Sequence, residues 1–110
     1  RRCSAAVAYL RTAKARPNLT VITGALVHGL KLEGRRATGV TFEREGRVET
    51  VTAAREIVLA AGAIGSPQIL QLSGIGPADV LKAAGVPLRH ELSGVGENLQ
   101  DHLQVRFVYE

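Results

Sequence analysis

The chain has 110 residues, enough for one domain of ordinary size and too few for two. Its formal charge is +4, but the basic residues are scattered and only two Tyr and two Phe are present, which excludes the basic, aromatic-studded stripe of a nucleic-acid binder. One Cys and three separated His make neither an internal disulfide nor a zinc spacing, and no apolar run reaches the ~18 residues of a membrane helix.

Taken in order, Ser4 to Ala15 reads as a helix, rich in alanine and with Ala6, Tyr9, Leu10 and Ala13 at helical spacing on one face. Pro17 and Asn18 end it. Leu19 to Leu32 reads as one or two strands, with Gly24 and Gly29 marking a bend or bulge. Glu33 to Arg36 turns the chain. Ala37 to Glu43 alternates, with Val40 and Phe42 on one face and Thr41 and Glu43 on the other. Glu45-Gly46 turns it again, and Val48 to Ala53 alternates a second time. These segments predict an antiparallel hairpin or meander that covers one face of a parallel sheet. Arg1-Arg2 and Arg35-Arg36 read as solvated surface rather than a phosphate site.

Ile57-Val58-Leu59-Ala60-Ala61 is a continuous apolar run. A run of this kind predicts a strand buried on both faces in a parallel sheet. Gly62 ends it, where bare backbone allows a sharp turn or close approach to a ligand. Ser66 and Pro67 read as N-cap and first helical residue of a short helix, Gln68 to Ser73, with Gly74 at its left-handed end. Strand, glycine turn and helix in that order build ligand sites at the carboxyl ends of strands. Pro77-Ala78-Asp79 starts a second short helix, Val80 to Ala84, ended by Gly85. From Pro87 the chain is extended. Ser93 to His102 then concentrates Asn98, Gln100, Asp101 and His102 around two glycines. Two readings stand side by side: a loop packed against a cofactor, or a polar turn capping a strand from Leu103 to Tyr109.

The segment GAIGSPQILQLSGIG, residues 62–76, resembles the second signature of the glucose-methanol-choline (GMC) flavoprotein oxidoreductases. RRCSAAVAYL, RPNLTVITGALV, ATGVTF and GVGENLQDH resemble the same family in the same order, closest to its choline dehydrogenase-like branch. The family pattern has proline where Ser93 stands. The resemblance implies an α/β fold, part of a doubly wound, Rossmann-like FAD-binding domain with an antiparallel meander. It implies an internal segment of a longer enzyme, with residues 103–110 beginning the substrate domain. It implies FAD as cofactor and a small-molecule alcohol as substrate, oxidised at its CH–OH group by hydride transfer to the flavin. Val27 would hold the adenine through its backbone. Ala61, Gly62 and Asn98 would border the cofactor, and Arg2 and Ser4 would lie toward the substrate side. A non-catalytic α/β module binding a nucleotide or a protein is the alternative.

Other chemistries fit worse. A hydrolase triad from Ser66 or Ser73 with Asp101 and His102 lacks the G-x-S-x-G elbow, and Pro67 removes an N–H that an oxyanion hole would use. The dinucleotide fingerprint G-x-G-x-x-G is absent. The resemblance implies that it lies before this segment and that the catalytic histidine lies beyond residue 110, so neither His90 nor His102 is assigned as base. No metal is expected. Membrane association is left open. The lone Cys3 favours a reducing, cytoplasmic compartment.

Overall fold

The computed structural model describes residues 3–105 and 107–109. The fold is mixed α/β and is built around an antiparallel meander. Strands β1 (Leu26–Glu33), β2 (Arg36–Arg44) and β3 (Arg47–Thr52) lie in that order in one sheet. Both connections are two-residue loops, closed by the pairs Glu33–Arg36 and Arg44–Arg47. Glu45 and Gly46 both have positive φ, 52° and 73°, the type I′ geometry that suits the twist of a hairpin. The register slips between Val27 and Gly29, so His28 bulges and Gly29 turns inward, where it is buried. Phe42, on β2, is 5% exposed and anchors the inner face of the sheet. Strand β3 is exposed along its whole length.

Helix α2 (Gly62–Leu72) packs against β1. The expected helix begins at Gln68, whereas α2 begins at Gly62, with Pro67 inside it. Ser66 is therefore not an N-cap. Its hydroxyl accepts instead from the Ala61 N–H at 3.0 Å, bonding back onto the helix start from the second turn. The other end is as the sequence predicts. Ser73 is the C-cap and Gly74 follows with φ 83°, a conformation that disfavours a side chain.

The Ser73 hydroxyl is the buried joint between helix and sheet. It donates to the Ile69 carbonyl at 2.6 Å and accepts from the Leu30 N–H at 2.8 Å. A Cβ on Gly29 would stand 3.1 Å from that oxygen, so the bulge brings bare backbone up to the helix end. Beyond Gly74 the chain forms β4 (Ile75–Gly76), helix α3 (Ala78–Ala83) and β5 (His90–Glu91), with β5 parallel to β4. The Gly74 carbonyl accepts from the N–H groups of Arg89 and His90, at 2.8 and 3.0 Å. Leu81 of α3 is 1% exposed and, with Ile69 and Val95, forms the buried apolar centre of this half.

Further expectations are corrected. Ile57 to Ala61 is extended but pairs with no strand among the described residues, so it is not a strand buried on both faces. Ile57 and Leu59 are half-buried while Val58 is 79% exposed. A parallel strand takes its hydrogen bonds from neighbours, and the only parallel neighbours described are the two-residue β4 and β5. The meander accordingly packs on α2 rather than on a parallel sheet. Leu19 to Thr23 and Leu103 to Val105 likewise form no strand, and the last three described residues, 107–109, are exposed. The first helix is a π-helical turn, Ala6–Leu10, running into a single α-turn α1 (Arg11–Ala13), and its Tyr9 is exposed rather than packed. Arg1 and Arg2 lie outside the described residues.

The radius of gyration is 17.8 Å, against about 13 Å for a compact chain of this length. Apolar side chains such as Val58, Ile64 and Leu99 stand 65% exposed or more. The fold presents large apolar surfaces outward, the condition of a segment that packs against further protein.

Candidate functional site

Helix α2 and the loop that follows β5 enclose a cleft of about 600 Å³, open to solvent. One wall is the first three turns of α2, through Ala63, Ile64, Pro67, Gln68 and Gln71. The other is the loop from Gly96 to Gln100. The loop reaches the helix because Ser93 to Gly96 form a turn that buries Val95, 8% exposed, beneath it. Asn98 has φ 57°, a left-handed conformation that asparagine tolerates better than most residues.

Two features of α2 suit a ligand. Its N-cap, Ala61, has no side chain to satisfy the first-turn amides, so backbone N–H groups are available at the mouth of the helix. Pro67 has no N–H to give the carbonyl of Ala63, one turn back, and both residues line the cleft. The side chains offered are Gln68, Gln71, Asn98 and Gln100, with Glu97 the single charged group. No Arg or Lys lines the cleft. Neutral amides match hydroxyls and heteroaromatic ring edges, and the N–H groups at the helix mouth match an anionic or carbonyl oxygen.

Of the four residues singled out from the sequence, Asn98 lines the cleft, and Ala61 and Gly62 directly precede its Ala63. Gly62 has φ 86°, and a Cβ there would meet open space. Val27 does not line this cleft. It is half-buried near the start of β1, an edge strand, and pairs with Phe42. Asp101 and His102 form no relay: the Asp101 carboxylate accepts from the His102 backbone N–H at 2.7 Å, and both side chains are exposed. His90 sits in β5, paired with Ile75. His28 meets Glu43 at 3.3 Å on the sheet surface. No metal-binding cluster exists among the described residues. No helix among them is long and apolar enough to cross a membrane.

Sequence reading missed Gln71. It lies seven residues after Ile64 and four after Pro67, so a helix begun at Gly62 puts all three on one face. Starting the helix at Gln68 hid that spacing.

Comparison with known proteins agrees with this architecture. The chain is 54% identical over its full length to oxygen-dependent choline dehydrogenase 1 of Chromohalobacter salexigens, of which it covers 20%. Pyridoxine 4-oxidase from Mesorbium loti superposes with a TM-score of 0.87 at 45% identity, covering 92% of this chain and 20% of that one. An FAD-dependent oxidoreductase from Chaetomium thermophilum superposes with a TM-score of 0.79 at 41% identity, covering 88% of this chain and 17% of that one. The chain thus spans about one-fifth of the length of the relatives it matches. Its residues 1–104 match the family model of the GMC oxidoreductases, and the chain belongs to that family.

Proposed function

We propose that this chain is the part of an FAD-dependent oxidoreductase that walls the cofactor, in an enzyme oxidising the CH–OH group of a small, choline-like alcohol. The observation that carries this is the cleft between the start of α2 and the loop 96–100, lined by neutral amides, in a chain of this family. A relative 54% identical is named as an oxygen-dependent choline dehydrogenase, and the structural neighbours include a pyridoxine 4-oxidase. Bound FAD would supply the two-electron acceptor for the hydride leaving the alcohol carbon.

This chain's own contribution is binding and orientation. Gly62 and Ala63 bring backbone close at the helix mouth, and Asn98 offers one donor and one acceptor from the facing loop. The neutral amides of Gln68, Gln71, Asn98 and Gln100 suit the hydroxyls of the ribityl chain and the ring edge of the flavin. Val27 is read as the adenine contact, through backbone groups on the open edge of β1. No residue of this chain is assigned as the catalytic base. Residues 1–110 are read as part of the flavin-binding domain, with 103–110 leading toward the substrate-binding part. The free, exposed Cys3 agrees with a cytoplasmic location.

The test is the visible spectrum of the full-length protein that carries this chain. A flavin band near ~450 nm that bleaches when a choline-like alcohol is added without oxygen is expected. A colourless protein that takes up no FAD contradicts the reading and leaves a non-catalytic module in its place.

A further inference from the structure

One side chain couples the two walls of the cleft. Gln71 projects from α2, and its Nε2 donates to the Val95 carbonyl at 3.3 Å in a partly buried setting. It passes between two glycines to get there. A Cβ on Gly76 would stand 3.2 Å from the Gln71 Cγ, and a Cβ on Gly96 would stand 2.8 Å from its Nε2. Any other residue at either position would press on the Gln71 side chain. Gly96 also holds φ 88°, so the backbone on the loop side is shaped to admit the amide. Val95 is anchored in the core below, and Asn98 is three residues further along the same loop.

We propose that Gln71 is the positioning residue of the cofactor cleft: threaded between Gly76 and Gly96, it fixes the loop 96–98 against α2 and so sets where Asn98 stands. This rests on the cleft being the flavin site. The amide is suited to the task because it donates at one end and packs along its methylenes, so one residue fixes both distance and register. Without the donor, the Val95 carbonyl loses its bond to the helix, and the loop is held by its own turn and by the burial of the Val95 side chain.

The experiment uses the full-length protein and reads FAD dissociation constant, flavin absorption band and amide exchange at residues 96–98. Gln71→Glu keeps the shape and, ionised, cannot donate to a carbonyl. Gln71→Met keeps length and apolar packing. Gly96→Ala disturbs the same contact from the loop side. Each is expected to weaken FAD binding about tenfold, the scale of one partly buried hydrogen bond, and to shift the band and speed exchange at 96–98. A role in stability alone would lower the apoprotein's melting temperature and leave the dissociation constant and band of the bound flavin unchanged, and that result overturns the proposal. A wild-type protein that never takes up FAD overturns the flavin reading and this proposal together. Normal wild-type binding with unaltered variants overturns this proposal alone.

Discussion

Replacing Ser73 with alanine removes one oxygen from the joint between α2 and the sheet. Two bonds are lost, and they are unequal. The Ile69 carbonyl keeps the Ser73 N–H at 3.1 Å, so losing the hydroxyl at 2.6 Å leaves it satisfied. The Leu30 N–H has the hydroxyl at 2.8 Å and points away from β2 toward the helix. Leaving that donor without a partner costs about 2 kcal/mol. The Ser73→Ala protein should therefore exchange the Leu30 amide about 30-fold faster, as a 2 kcal/mol loss of protection implies. Hydrogen exchange read by mass spectrometry on peptides spanning Gly29 to Glu33 of the full-length protein measures it directly. Exchange within twofold of wild type would refute the claim that this hydroxyl joins the two elements. Ser73→Thr keeps the hydroxyl and should protect Leu30, so far as its methyl group finds room beside Gly29.

Gly74→Ala should destabilise by about 2 kcal/mol or more, because φ is 83° and the new Cβ would stand 2.5 Å from the Pro87 carbonyl oxygen; thermal melting reads it. Leu81→Ala, at a position 1% exposed, should cost about 2–5 kcal/mol, whereas Val58→Ala, at 79% exposure, should cost far less in this chain's own packing. His28→Ala should change stability by less than about 1 kcal/mol, since the pair with Glu43 is half-exposed and screened. Asn98→Gly should keep the loop conformation at φ 57° and lose the side-chain contact, so a weaker FAD complex with unchanged melting of the apoprotein is expected.

Local chemistry was legible where the chain carries its own partners. Glu45-Gly46 between two alternating runs specified a hairpin, and Gly29 specified the bulge, because turn and strand pairing both lie within about 30 residues. Gly74 after a short apolar helix specified the C-terminal geometry. Ile57 to Ala61 was misread as a strand buried on both faces, since a run of aliphatic residues does not say which neighbours will pair with it or cover it. The start of α2 was misplaced because Ser66-Pro67 is also the sequence of a cap, whereas here Pro67 lies in the second turn and the helix gives up its bond to the Ala63 carbonyl. Gln71 carried no motif of its own. Its proposed role depends on Gly96 and Val95, which approach it only once α3 and β5 have returned the chain to α2.

The measurement that bears most directly on the cleft is a crystal structure of the full-length protein with FAD bound. The account predicts atoms of the bound FAD within about 4 Å of Ala63 and Asn98. A dinucleotide bound away from α2, with the space between Ala63 and Asn98 filled by other protein side chains, would contradict it.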